Sequence, residues 1–200
     1  EIRVIPTGGP RCDVVNVVSV ESYLEGVIAG EFHPAWSAES IAAQAVAARS
    51  YSLFQMKEAR KRGANYDVES GVQDQVFALD IARKSDYRSV RAIAKTRGLI
   101  LSPASTKKVV PIKAFFHSTC GGDTETPAQV WGARYPGFRD RGVDCPFCTS
   151  SPRYRWEALV TARDVGDAIA SAVHRSVRNQ DRAMEGIVQN WPRGWQRFIE

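Results

Sequence analysis

The sequence predicts an α+β fold, in which a mixed or antiparallel sheet packs against a long alanine-rich helix and further helices. Strand-like and helix-like segments are mixed along the chain without strict alternation, which disfavours a parallel βαβ arrangement. The length of 200 residues suits a single domain spanning residues 1–200. Apolar residues make up 44% of the chain and charged residues 24%, so a packed core is expected and disorder is not.

The first predicted elements are a strand and a helix. Residues Asp13–Val20 are rich in β-branched valine, which is typical of a strand. Apolar residues then recur at helical spacing, and either Ser22, in a capping box, or Ser19, one turn earlier, is the expected N-cap. Gly30 and the following proline predict that this helix ends close to Glu31.

A long helix is predicted next, from an N-cap at Ser37 to about Arg62, with Gly63 as the residue that ends it. Its segment IAAQAVAAR contains five alanines, so a neighbouring element can approach closely. Gln44 and Arg49 are the polar exceptions in this segment and need partners if they are buried.

The remaining elements are predicted from shorter signals. The segments YDVES, QVFAL and YRWEALV resemble strands, and GLILS with KKVVPIKAFFHST resembles a hairpin. Two further helices are expected, one from Ser85 to Arg97 and an amphipathic one that starts near Thr161.

The cysteines have the spacing of a zinc knuckle. His117 and Cys120 lie in HSTC, and Cys145 and Cys148 lie in CPFC. Such His-x2-Cys and Cys-x2-Cys pairs predict a structural Zn²⁺ site, with His117 or, instead, Cys12 as the fourth ligand. Disulfide pairing is the alternative outside the cytoplasm.

Glu31 is the strongest candidate for a catalytic acid. It interrupts an apolar stretch and is followed by Phe32, Pro34 and Trp36. Burial among these side chains, together with the negative end of the helix dipole, would favour the protonated carboxyl group. We therefore expect a buried glutamate that can donate a proton near neutral pH.

The charge of the chain leaves two interpretations open. The formal net charge is +5, with basic residues clustered at 57–62, 83–97 and 175–182. These clusters indicate either solvated helix faces or a surface that attracts a polyanion such as nucleic acid or an anionic cell wall. We find no nucleic-acid-binding motif and no run of about 18 apolar residues, so neither a nucleic-acid partner nor a transmembrane segment is expected.

Several motifs together resemble one protein family. The segments YLEGVIAGEFHPAWSAESIAAQAVAARSY, DQVF, AFFHSTCGGDTETPAQVWG and SPRYRWEA occur in the order found in the stage II sporulation protein D family, whose relatives include amidase enhancers. The resemblance runs from about Val20 to Ala158. It implies a lytic transglycosylase that cleaves the bond between N-acetylmuramic acid and N-acetylglucosamine in peptidoglycan strands stripped of stem peptides. Glu31 matches the position of the family's catalytic glutamate.

The same resemblance implies further site residues. Residues of the matching motifs are expected to contact the glycan: Gln75, His117, Ser118, Thr119 and Arg49. Trp36, Trp131 and Tyr154 can stack on sugar rings, although buried aromatic residues are commoner. Glu21, Glu25 and Asp74 are the nearest candidates for a second carboxylate.

The resemblance also sets expectations about context. Its family members imply an extracytoplasmic location in the bacterial envelope, glycan strands as the partner, and a cell-wall amidase as a further candidate partner. This chain reads HSTCGG where the family usually has HSTSGG, so His117 can serve the glycan cleft instead of a metal. The family's C-terminal Gly-His-Gly-x-Gly-like motif is missing, which predicts a domain truncated at its C-terminal end. A non-catalytic glycan-binding or amidase-enhancing module is the alternative function.

Overall fold

The structure is a computed structural model that describes residues 1–31, 36–78 and 87–178, with side chains described as far as residue 172. The chain divides into two compact units, residues 1–154 and 155–200, which are described separately below. A two-stranded antiparallel sheet and several helices make up the described elements, which confirms the α+β class.

The sheet is an N-terminal hairpin. Strand β1 (Ile2–Gly8) pairs with β2 (Arg11–Asn16), with Val4 opposite Val14. The predicted strand therefore ends at Asn16, four residues before its expected end, because the next helix already begins at Val20.

Three helices form the centre of the first unit: α1 (Val20–Glu31), α2 (Ala38–Lys61) and α3 (Tyr87–Lys95). Ser19 is the residue that caps α1, since its Oγ accepts a hydrogen bond from the Ser22 backbone N–H at 3.2 Å. Ser37 caps α2 in the same way, by accepting from the Ser40 N–H at 3.1 Å. The predicted limits of the long helix are confirmed.

The hydrophobic core lies between these helices. Its buried side chains come from all three: Leu24, Val27, Ile28, Ile41, Ala45, Ala48, Ala92 and Ile93. The alanines of α2 let α1 and α3 approach closely. The long helix was expected to pack on the sheet, but within the described residues it packs on α1 and α3.

The rest of the first unit contains little regular structure. A short helix, α4 (Pro127–Trp131), is closed by a capping box between Thr126 and Gln129, and a 3₁₀ turn covers Pro146–Cys148. In the described residues, the predicted strands after Gly63 do not form ladders, and Leu79 at the end of QVFAL lies outside those residues. One backbone hydrogen bond of the predicted hairpin is present, from the Ile112 N–H to the Leu101 carbonyl at 3.1 Å.

The second unit contains helix α5 (Ala162–Arg178), which confirms the helix expected near Thr161. Thr161 and Asp164 cap each other at its start, with the Asp164 N–H donating to Thr161 Oγ1 at 3.1 Å. None of the helices in the described part of the chain is both long and apolar enough to span a membrane.

Candidate functional site

Glu31 is the last residue of α1 and its side chain is exposed. Its Oε1 accepts a hydrogen bond from the backbone N–H of Val76 at 2.7 Å. The expected burial is not found, because Glu31 is exposed in the structure and Trp36 is itself 43% exposed. Phe32 and Pro34 lie outside the described residues. The structure thus presents an accessible carboxylate, oriented through one oxygen, at the C-terminal end of a buried helix.

Two glycines of α1 explain how Val76 reaches Glu31. Gly26 and Gly30 lie one turn apart on one face, and the Ala78 N–H donates to the Gly26 carbonyl at 3.0 Å. A Cβ atom at Gly30 would lie 2.6 Å from the Val76 carbonyl oxygen, and one at Gly26 would clash with the Phe77 ring. Only glycine therefore lets the segment 74–78 lie against α1. The GVIAG spacing in the sequence was the signal that could have predicted this contact.

Gln75 anchors that segment from inside the protein. Its side chain is fully buried, and its Oε1 accepts hydrogen bonds from the Tyr23 hydroxyl at 3.3 Å and the Ser52 hydroxyl at 2.9 Å. The glycan contact predicted for Gln75 stays a prediction, and in this conformation the side chain is buried. The amide fixes the loop whose next residue, Val76, binds Glu31.

Asp74 has a similar internal role. Its Oδ1 accepts from the Tyr51 hydroxyl and its Oδ2 from the Glu69 backbone N–H, both at 2.8 Å. Burial, followed by the Asp74 hydrogen bond, raises the pKa of Tyr51 above its ordinary value. Burial also raises the pKa of Tyr23, with smaller contributions from Asp74 and Glu31. Both phenols therefore stay neutral hydrogen-bond donors, Tyr51 to Asp74 and Tyr23 to Gln75.

Arg49 is buried at the junction of the three helices and has no exposed surface for a glycan. Its Nε and Nη2 donate to the two carboxylate oxygens of Glu21 at 3.0 and 2.8 Å, and Nη1 donates to the Leu99 carbonyl at 3.1 Å. The predicted glycan contact of Arg49 stays a prediction, and in this conformation its guanidinium group is engaged by these internal acceptors. The hydrogen bond from Arg49 lowers the pKa of Glu21, so Glu21 is held as a charged structural partner.

The cysteine cluster brings together three of the four predicted metal ligands. The Sγ atoms of Cys120, Cys145 and Cys148 all lie within 4.8 Å of one another. Within the described residues, neither His117 nor Cys12 belongs to this group, and both are exposed. A fourth ligand from His117 or Cys12 therefore stays a prediction. The cysteines are free thiols, and three soft sulfur ligands suit Zn²⁺.

A short antiparallel bridge positions the thiols. Asp123 pairs with Asp144, and the Cys145 N–H donates to the Gly122 carbonyl at 2.6 Å. The backbone N–H of Gly122 lowers the pKa of the Cys120 thiol, whereas the hydrogen bond with Cys120 raises the pKa of Cys145. The surroundings of Cys120 thus favour its thiolate form, which is the form that ligates metals.

The other residues of the HSTC motif differ in exposure. Ser118 is exposed and its predicted glycan contact stays a prediction. Thr119 is half-buried and its Oγ1 lies 2.8 Å from Ser151 Oγ. Because the Ser151 N–H also donates to the Cys148 carbonyl at 2.9 Å, Thr119 helps to join the two cysteine loops.

Comparisons with known proteins support the resemblance seen in the motifs. Residues 9–102 match the family model described as stage II sporulation protein. An uncharacterized protein of Brachyspira hyodysenteriae is 30% identical over 168 residues, which are 83% of this chain and 43% of that protein. Stage II sporulation protein D of Bacillus subtilis is 28% identical over 75% of this chain and 45% of its own length. The protein of the same name from Bacillus amyloliquefaciens is 29% identical over 70% of this chain and 42% of its own length.

The match to the family model includes Glu31, Arg49 and Gln75 but ends before the cysteine cluster. The chain spans less than half the length of the relatives named above. Through residues 9–102, this chain belongs to the stage II sporulation protein D family.

Proposed function

We propose that this chain cleaves peptidoglycan glycan strands as a lytic transglycosylase, with Glu31 as its general acid and base. The observation that carries the proposal is the position of Glu31. It is an exposed carboxylate at the end of α1, within the segment that matches the family model, and the Val76 N–H orients it. Glu21 and Asp74 are occupied by internal partners, which favours a mechanism that needs one carboxyl group.

The reaction can be balanced with Glu31 alone. The Glu31 carboxylic acid gives its proton to the glycosidic oxygen between N-acetylmuramic acid and N-acetylglucosamine, and the C1–O bond breaks to leave an oxocarbenium-like C1. The Glu31 carboxylate then takes the proton of the muramic acid 6-hydroxyl while O6 bonds to C1. The products are a 1,6-anhydromuramic end and a free 4-hydroxyl on the departing sugar. No water is consumed.

The test is digestion of purified peptidoglycan, with and without stem peptides, in ¹⁸O-labelled water. We expect the wild type to release anhydro ends that are lighter than hydrolysis products by one water and carry no label. Glu31→Ala should release none. Labelled reducing ends would instead show a hydrolase, in which water replaces the 6-hydroxyl.

The exposure of Glu31 also favours a second candidate function, a non-catalytic glycan-binding or amidase-enhancing module. A catalytic acid usually benefits from burial, and this carboxylate has little. In that case neither protein would release products, and Glu31→Ala would still bind strands and stimulate a cell-wall amidase as well as the wild type does.

We also propose that Cys120, Cys145 and Cys148 hold a structural Zn²⁺. The metal would link the two cysteine loops, which the Asp123–Asp144 bridge already brings together. Metal analysis and thiol titration of purified protein test this: about one zinc per chain and three protected thiols are expected. A disulfide between two of these cysteines, found by mass spectrometry in metal-free protein, would favour the alternative.

The proposed substrate implies an extracytoplasmic location in the bacterial envelope, where peptidoglycan strands are the partner. Fractionation of cells that naturally produce the protein tests this location. Recovery of the protein in the envelope fraction is expected, whereas recovery with cytoplasmic markers would contradict it.

A further inference from the structure

An exposed tryptophan and a lysine meet at one cluster of aromatic rings in the first unit. The Trp131 ring stacks on Phe115 with centroids 4.2 Å apart and planes 22° apart, yet 56% of Trp131 is exposed. Phe115 also packs edge-on against Tyr135, at 5.4 Å, and Tyr51, at 6.4 Å. We call Tyr51, Lys113, Phe115, Trp131 and Tyr135 the aromatic site.

Lys113 places a positive charge inside this site. Its Nζ lies 5.3 Å from the Phe115 ring centroid, 5.4 Å from that of Tyr135 and 5.7 Å from that of Tyr51. The side chain is half-buried. Within the described part of the chain, Lys113 pairs with no carboxylate, whereas Arg49, Arg60 and other cations do. Three ring faces hold the ammonium group in place and leave its charge available to an external anion.

The rings are held in fixed positions by their own contacts. The Tyr51 hydroxyl donates to Asp74, and Tyr135 packs edge-on against Phe54 at 6.0 Å. A site that is already ordered loses little conformational entropy when a ligand binds, which favours a binding role over a loose surface patch.

We propose that the aromatic site binds an acidic sugar of the glycan strand. The exposed face of Trp131 stacks on the C–H face of the sugar ring, and Lys113 pairs with the sugar's carboxylate. In peptidoglycan this sugar is a muramic acid whose lactyl carboxylate is free, because the stem peptide that normally occupies it as an amide has been removed. The inference deepens the proposed function and rests on it for the choice of glycan.

The aromatic site is connected to Glu31 through one segment of chain. The Tyr51 hydroxyl of the aromatic site donates a hydrogen bond to Asp74. Two residues later, the Val76 N–H donates a hydrogen bond to Glu31. The same segment therefore positions both a sugar-binding surface and the proposed acid, which suits an extended strand that occupies more than one subsite.

The test measures binding of strands in the Glu31→Gln background, so that nothing is cut. The probes are stem-peptide-free glycan strands with free lactyl carboxylates, and the same strands with those carboxylates converted to N-methylamides. Trp131→Ala should weaken binding of both probes by about tenfold. Lys113→Gln should weaken binding of the carboxylate probe by about tenfold and change binding of the amide probe by less than about twofold. Lys113→Arg keeps the positive charge and should still bind the carboxylate probe more tightly than the amide probe.

Arg134→Gln is the matched control, since Arg134 is an exposed cation near Tyr135 in sequence that pairs with Asp140. It should leave both affinities unchanged. Equal losses for both probes in Lys113→Gln, or no loss in Trp131→Ala, would overturn the proposal. Tighter binding of a single-stranded DNA oligonucleotide than of either strand, lost in Trp131→Ala, would overturn it in favour of a nucleic acid.

The outcome is independent of the chemical step. If the wild type forms anhydro ends but the Trp131 and Lys113 substitutions do not change the affinity for glycan strands, this inference fails and the proposed function stands. If binding depends on both residues and no anhydro ends form, the proposed enzyme activity fails and the sugar site stands.

Discussion

The three-helix core and the cysteine module, residues 117–154, reach an ordered structure by different means. The core buries apolar side chains from α1, α2 and α3 and surrounds Arg49 with acceptors. In the cysteine module the buried residues are Cys120, Thr126 and Pro127, and the rings of Trp131 and Tyr135 pack on Phe115, which lies outside the module. Its order depends on a backbone bridge and three close thiols. We therefore expect the three-helix core to keep its structure when the proposed metal is removed, and the cysteine module to lose its structure.

The largest expected effect is metal removal. Structural zinc in small cysteine sites contributes about 10–16 kcal/mol of apparent binding free energy, which the sparse packing of the module cannot replace. We expect a strong chelator, or Cys145→Ser, to increase hydrogen exchange across residues 117–154 while α2 stays protected. Cys12→Ser is the control and should keep its metal. Equal loss of protection in α2 would show that the two regions are not separate in stability.

Arg49→Ala should produce the next largest effect, and it should act on the core. The substitution leaves Glu21 without its partner in a site where Arg49 is 2% exposed, which costs about 3–5 kcal/mol. Urea denaturation measures the loss. Arg60→Ala removes an exposed ion pair with Asp67 and should cost less than about 1 kcal/mol. Similar losses in the two variants would contradict the central role of Arg49.

Gly30→Ala should destabilise the core by about 1–3 kcal/mol, because its Cβ would lie 2.6 Å from the Val76 carbonyl oxygen. The displacement of Val76 also removes the hydrogen bond that orients Glu31, so the rate of strand cleavage should fall more than the stability loss explains. Gly71→Ala, which meets nothing within 4 Å, is the control for both measurements. An unchanged cleavage rate in Gly30→Ala would show that this hydrogen bond is not needed.

The smallest expected effect is a change in the pH dependence of stability. Arg49 lowers the pKa of Glu21 in the folded protein below the ordinary value of 4.5. The pair therefore stabilises the fold above about pH 4.5, and this contribution is lost as the pH falls through the lowered pKa of the folded state. Urea midpoints measured from pH 7 to pH 3 should fall more steeply for the wild type than for Glu21→Gln. Parallel profiles would contradict the assignment.

The helices could be predicted because their signals are local. The N-cap at Ser37 and the left-handed Gly63, with φ of 65°, mark the ends of α2 in sequence and in structure. The strands after Gly63 could not be predicted, because a β-branched segment becomes a ladder only when a partner strand lies beside it. The same holds for YRWEALV, which has strand composition and no ladder in the described residues.

The candidate site was predicted in its residue types more than in its geometry. The position of Glu31 at a helix end followed from local helix signals, and the closeness of the three cysteines followed from the paired spacing typical of zinc ligands. The burial of Gln75 and Arg49 did not, because their partners Ser52, Tyr23 and Glu21 are distant in sequence or lie on another helix. The family resemblance predicts glycan binding by both polar residues, because they lie in family motifs. In the structure both side chains form hydrogen bonds inside the core, as buried polar groups must.

The most direct test of the account compares anhydro-end formation by the wild type, Glu31→Gln and Glu39→Gln on stem-peptide-free strands. Glu39 is an exposed acid in the first turn of α2 and serves as the matched control. We predict that Glu31→Gln lowers the rate by about 10²–10⁴-fold and that Glu39→Gln leaves it unchanged. Anhydro ends formed at the wild-type rate by Glu31→Gln would contradict the assignment of Glu31 as the acid and base.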